Sequence, residues 1–171
     1  ISNTGSSQVE MSAGSLTVGG ELNIDGMFVI SGATSRSLTV NDVVFIGGSG
    51  NLNLCNGGAA NIGTLNVLSH ITNFGAITES GTGKGVIHFM GAAHQNFNEF
   101  GAFVNNIDVN IDNAAGVTFT NTTSVSGILT LTNGILTIPV DQTVTIANGT
   151  AIGGTGFGAA KHIATAVNYG T

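Results

Sequence analysis

The stretch SLTVGGELNIDGMFVI, residues 15–30, and its echo SLTVNDVVFIGGSGNLNL, residues 37–54, decide the fold. The first contains Leu16-Thr17-Val18, Leu22-Asn23-Ile24 and Phe28-Val29-Ile30, three apolar-x-apolar triplets offset by six. The second contains Leu38-Thr39-Val40, Val44-Phe45-Ile46 and Leu52-Asn53-Leu54. Val18 and Val40 are spaced by 22, Ile24 and Ile46 by 22, and Ile30 and Leu54 by 24. Side chains alternate along a strand, so a triplet with two apolar ends is a short strand with one buried face. Three such strands in every turn of this length predict a three-sided β-solenoid. Any chemistry then belongs to outer faces and corners.

The same beat returns near the end. It is carried by Val117/Phe119, Thr123/Val125, Leu129/Leu131, Leu136/Ile138 and Val144/Ile146, with Phe119 and Ile138 spaced by 19 and Val125 and Ile146 by 21. Turns are expected at Thr132-Asn133-Gly134 and Ala147-Asn148-Gly149, since Asn-Gly tolerates the left-handed backbone of tight turns. Between Gly75 and Gly101 the spacing loosens. There a strand is expected at Val86-Ile87-His88-Phe89, with Ile87 and Phe89 inward and His88 outward, and further strands around Phe97 and Phe103. Phe97, Phe100 and Phe103 read as larger core fillers where the coil widens, or as a loop packed back over one face. No linker or charge run divides the chain, so residues 1–171 read as one domain. Its closing stretch 153–171, with Lys161, His162 and Tyr169, is a cap or the start of a following module. The fold expected is all-β, a right-handed parallel β-solenoid with three short strands per turn of roughly 19–24 residues.

Composition narrows the reading. Only 7% of the 171 residues are charged, against roughly 25% in ordinary soluble proteins. Twenty-seven glycines supply corners, and the sole proline, Pro139, follows the strand Leu136-Thr137-Ile138 where a missing N–H does least harm. No segment keeps a helical apolar period. Net charge is −6, from nine acids and three bases, Arg36, Lys84 and Lys161. Three scattered cations make no basic stripe, which argues against nucleic acid and anionic membranes as partners. No apolar run reaches the ~18 residues of a membrane helix. The chain opens at Ile1 without Met or an apolar leader, so a signal peptide has been removed or the chain is an excerpt. A lone Cys55 permits no disulfide framework within the chain.

The segment VIHFMGAAHQNFNEFGAFVNNIDVNIDNAAGVTFTNTTSVSGILTLTNGILTI, residues 86–138, resembles repetitive segments of large Bacteroidetes cell-surface proteins. The matching phrases are Phe89 to Phe97 (F-x-G-x-x-x-Q-x-F), Val104 to Asn110, Gly116 to Thr120 and Val125 to Ile138. The segment Gly153 to Thr165 is similar to the stretch that succeeds such repeats in that family. The likeness covers about residues 83 to 165 and is compositional before that. It implies export through the type IX secretion system and display at the cell surface or release. Some members are adhesins, including mobile adhesins of gliding bacteria. The sorting module of that family is not in this sequence, which implies a middle piece of a longer protein.

Candidate chemistry is sparse. His88, His94, Glu99 and His162 are conceivable metal ligands, but no HxxxH or CxxC spacing supports them over polar surface and turn positions. Asp108, Asn110 and Asp112 share one outward face and offer oxygen donors to Ca²⁺, an ion that takes about six to eight oxygens; any half-buried strand shows the same pattern. No cofactor and no catalytic residue is indicated. Glycoside chemistry needs paired carboxylates ~5–10 Å apart in a cleft, and no G-x-S-x-G elbow occurs. Thr118-x-Thr120, Thr130-x-Thr132 and Thr143-x-Thr145 suggest hydroxyl ladders able to order ice, against plain β-propensity. Cys55 reads as a small, partly buried thiol, and Gly47-Gly48-Ser49-Gly50 as a corner. The function expected is a non-catalytic structural or adhesive segment of an extracellular, cell-surface protein or fibre. Surface polysaccharide, or other copies of the chain by end-to-end assembly or as continuation of a longer chain, are the partners that fit. A carbohydrate-binding or carbohydrate-active solenoid, with exposed aromatics or carboxylates near residues 88–103, is the first alternative; an ice-binding solenoid is the second.

Overall fold

Short strands separated by glycine corners close into a coil with three parallel faces. The computed structural model describes residues 2–3, 8–12, 14–147 and 152–165. The first face stacks Ser15–Val18, Arg36–Val40, Ile62–Val67, Lys84–Phe89, Ile107–Asp112 and the opening half of Leu129–Ile138, each parallel to the next. The second runs through Ser2–Asn3, Leu22–Ile24, Val44–Ile46, Ile71–Asn73, Gln95–Glu99, Val117–Phe119, the closing half of Leu129–Ile138, and Lys161–Thr165. The third holds Gln8–Glu10, Met27–Ser31, Asn51–Cys55, Ala76–Thr78 and Ala102–Phe103, and then Thr123–Val125 paired separately with Val144–Ile146. No described residue is helical. This is the expected β-solenoid, with about six turns.

Register is the one read from the triplets. Val18 lies beside Val40, Ile24 beside Ile46, and Phe28 beside Leu52. Val18, Val40, Ile24 and Ile46 are all buried, so the alternate aliphatics do form a dry interior column. Each fully buried side chain of this size contributes about 1.5–3 kcal/mol relative to exposure. The column thickens with aromatics in the middle turns. Phe97 meets Phe119 edge-on at 5.2 Å and Phe103 edge-on at 5.5 Å, and Phe89 lies 5.9 Å from Phe97. At the other extreme Leu16, in the first described strand of its face, is 38% exposed, with no strand among the described residues stacked beneath it on that face.

Turn length varies more than the triplets predict. Leu38 pairs with Leu16 at the short spacing of 22, but Leu65 comes 27 after Leu38 and Phe97 comes 26 after Ile71. Both exceed the expected range. The additions sit in corners, at 56–61 before the first face and at 90–94 after it. Strands need a fixed number of residues to span a face, whereas corners only have to return the chain. Gly63 shows how tightly they return it, since a Cβ there would run into the carbonyl oxygen of Leu54. The turn expected at Asn133-Gly134 is a corner bend inside one continuous strand that passes from the first face to the second, with Gly134 at φ 82°. Asn148 and Gly149 of the other expected turn lie outside the described residues, as does Tyr169. Of the closing stretch, Lys161–Thr165 adds a further parallel strand, with Ile163 beside Leu136.

Candidate functional site: outer rows and corners of the coil

On the first face the outward positions form a polar row, Thr17, Thr39, Asn66, His88, Asn110 and Thr130, one residue per turn. Asp108, Asn110 and Asp112 alternate with buried Ile107, Val109 and Ile111 and so share the outward side. Each is engaged separately. Asp108 Oδ2 lies 3.0 Å from Lys84 Nζ, and its Oδ1 accepts from the N–H of Ile128 at 2.8 Å. Asn110 Oδ1 accepts from the Thr132 hydroxyl at 2.7 Å, and Asp112 Oδ2 faces His88 Nε2 at 3.6 Å. Alternate positions on a strand stand about 6.6 Å apart, and neighbours drawn in different directions do not converge on one ion whose ligands sit at ~2.4 Å. Among the described residues no three His, Cys, Asp or Glu side chains gather as a metal-binding group.

The other singled-out residues are equally dispersed. His88 points outward and Ile87 and Phe89 inward, as expected. His94 bridges a corner, Nδ1 to the carbonyl of Ala115 at 3.0 Å and Nε2 to the Thr118 hydroxyl at 2.9 Å. His162 lies 3.1 Å from the carbonyl of Gly158. Cys55 is buried, its Sγ 3.8 Å from Ser31 Oγ and 3.7 Å from the carbonyl of Asn61. Gly47 and Gly50 close a corner through Gly50 N–H to the Gly47 carbonyl. The Thr-x-Thr motifs fall on three different faces, Thr118 on the second, Thr130 on the first and Thr145 on the third. Together they build no ladder.

Inside the coil lie two polar clusters that the triplet reading does not anticipate. Down one interior column Ile24, Ile46, Asn73 and Glu99 follow one another. Asn73 Nδ2 donates to both carboxylate oxygens of Glu99, at 2.9 and 3.0 Å, and to the carbonyl of Ala102 at 3.1 Å, while its Oδ1 accepts from Gly75 N–H. Glu99 Oε1 also accepts from Gly101 N–H at 2.9 Å. Burial pushes the Glu99 carboxyl above the usual carboxylate range, against the opposing pull of the Asn73 and Gly101 bonds. At another corner Gln95 donates to the carbonyls of Val67 and Ser69 and accepts from Gly91 N–H and Asn113 Nδ2. The Gln95 cluster meets backbone groups at the lengthened corner around Gly91 and at the turn beneath it, whereas the Asn73–Glu99 pair meets those of the short corners at Gly75 and Gly101. A signal is present in the sequence: Ile71-Thr72-Asn73 and Phe97-Asn98-Glu99 are triplets whose second inward residue is polar.

Outside, the middle turns carry an aromatic ridge. Phe100 is not a core filler; it is 56% exposed and stacks on Phe74, itself 49% exposed, at 5.0 Å with ring planes 9° apart. Phe45, half-buried on the second face, lies 5.9 Å from Phe74. Phe97 packs in the core, as expected, and the half-buried Phe103 packs against it. All three cations are occupied: Arg36 with Glu10 at 3.2 Å, Lys84 with Asp108, and Lys161 over the Phe157 ring at 5.6 Å. A cavity of about 260 Å³ opens at the first turn between Val9, Met11, Leu16 and Phe28.

The chain matches no protein-family model, no curated protein and no solved structure.

Proposed function

We propose that this chain is a non-catalytic structural segment of an extracellular bacterial surface protein or fibre, of the kind carried by Bacteroidetes proteins exported through the type IX system. The observation that supports this reading best is the parallel stack, continuous along two of its faces, whose three bases are each engaged within it. Arg36 and Lys84 pair with acids on neighbouring turns, and the outward rows are mostly neutral hydroxyls and amides. Successive strands lie about 4.8 Å apart, so six turns make a rod segment of roughly 29 Å. Such a segment acts as a stalk and as an adhesive surface. Many weak contacts along an extended face sum when copies are held together, with no single residue responsible.

Two measurements test the reading together. Antibody against the folded domain labels intact, unpermeabilised source cells or material they release. The domain on beads is retained through washing on polysaccharide-coated surfaces with a steep dependence on bead density, while free protein binds weakly and washes off. Labelling that requires permeabilisation, or turnover of an offered glycan, overturns it. Ice binding loses its motif argument because the Thr-x-Thr pairs lie on separate faces.

A further inference from the structure

We propose that Phe45, Phe74 and Phe100, with the adjoining ladder Thr72, Asn98 and Thr120, form a binding ridge for uncharged polysaccharide. The proposal deepens the adhesive reading and rests on it. Phe45 lies beside Thr72, and Thr72 beside Asn98, on successive turns of the second face. Phe74 and Phe100 come two residues after Thr72 and Asn98, just past their strand ends, so rings and polar groups run side by side along the coil. The ladder is internally ordered. Asn98 Nδ2 donates to Thr72 Oγ1 at 3.1 Å, and the Thr120 hydroxyl lies within donating distance of Asn98 Oδ1 at 2.9 Å and of Asn121 Oδ1 at 2.8 Å. Those bonds hold the side chains in place and leave the second amide hydrogen of Asn98 and the Thr72 hydroxyl hydrogen free to meet a ligand.

Chemistry and size select the occupant. No member of the ridge or its ladder carries a charge, so it offers nothing to a polyanion or a charged peptide. Stacking covers only part of Phe74 and Phe100; about half of each stays open to water. A phenylalanine presents about 150–250 Å², so the ridge exposes roughly 250–300 Å². A stable protein partner needs about 800 Å² on each side. Two or three sugar rings fit that area. A pyranose has an apolar C–H face, whose slightly positive hydrogens suit the negative face of an aromatic ring, and a hydroxyl rim that suits amide and hydroxyl groups alongside. Single contacts of this kind are weak, and copies displayed together would add them.

The test is affinity electrophoresis of the whole chain through gels containing mixed-linkage β-glucan, galactomannan or the polyanion alginate. Phe74→Ala, Phe100→Ala and, as control, Phe157→Ala are run beside wild type, with the strand signature of each checked by circular dichroism. Retardation is expected in a neutral gel, insensitive to salt, weakened about tenfold by either ridge substitution and unchanged by Phe157→Ala. Equal retardation of the ridge variants, no retardation in either neutral gel, or salt-sensitive binding to alginate alone overturns the proposal. So does self-association in sedimentation that Phe100→Ala abolishes, which would assign the ridge to a second copy. If wild-type beads are retained on polysaccharide and both ridge variants are retained equally, the ridge falls and the adhesive reading stands. If wild-type beads are retained on no surface, the adhesive reading itself falls.

Discussion

The turns from Leu22 to Leu54 and those from Ile71 to Phe103 solve the same problem differently. In the earlier turns the hydrophobic core is aliphatic with Phe28, the buried polar side chains being Ser31 and Asn53, and the repeat keeps the short spacing that places Leu22 beside Val44 and Phe28 beside Leu52. In the middle turns the repeat lengthens, Asn73 and Glu99 replace Ile24 and Ile46 in their column, and two phenylalanines stand outside. A short corner lets neighbouring turns satisfy each other's backbone through strand pairing. In the middle turns an amide or carboxylate from inside reaches corner peptide groups that have no strand partner. Interior polarity here serves corner backbone, at the lengthened corner by Gly91 and equally at the short ones by Gly75 and Gly101.

The aromatic centre gives the largest expected effect. Phe97 is fully buried against Phe89, Phe103 and Phe119, so Phe97→Ala is expected to cost about 3–5 kcal/mol in urea unfolding. A cost near that of Ile46→Val, about 0.5–1.5 kcal/mol, would mean the middle column collapses to fill the space and is softer than the early one. Next comes the polar clip. Asn73→Ala strips Glu99 of its amide partner and leaves Gly75 N–H and the Ala102 carbonyl unmet, for an expected loss of about 2–3 kcal/mol. Adding Glu99→Ala should then cost less than Glu99→Ala alone, because the two groups act as a unit. Strict additivity in that cycle would break the contrast between the two regions.

The architecture is legible because period-two alternation speaks directly to burial: Val18, Val40, Ile24 and Ile46 can be placed, and paired, by counting. Corner length is not legible. Glycine and asparagine mark where a chain turns without saying how many residues the turn consumes, so the longer turns around Leu65 and Phe97 lie beyond the expectation. Phe100 departs from its expected place for a related reason. It sits an odd number of residues from inward Phe97, and the strand ends at Glu99 before it. The scattering of the Thr-x-Thr motifs is readable from spacing: Thr130 comes only about half a turn after Thr118, and Thr145 about two-thirds of a turn after Thr130. The aromatic ridge depends on Phe74 and Phe100 stacking across adjacent turns, which only the true corner lengths align.

The smallest effect is the one most specific to the middle turns. The buried Glu99 carboxyl binds its proton more tightly when folded than when unfolded, because burial disfavours the charged form. Between those two values the native state holds more protons, so stability from this group falls as pH rises. It is fully present below the ordinary glutamate value of 4.5 and is lost as pH climbs through the raised folded value. Glu99→Gln cannot ionise, so wild type should gain on it in urea midpoints as pH is lowered through this window. Ile46→Val, changed in the aliphatic part of the same column, should differ from wild type by the same amount at every pH. Parallel wild-type and Glu99→Gln curves would show that the Asn73 and Gly101 bonds balance burial, and a wild type that loses ground as pH falls would show that they outweigh it and hold the carboxylate charged inside the coil.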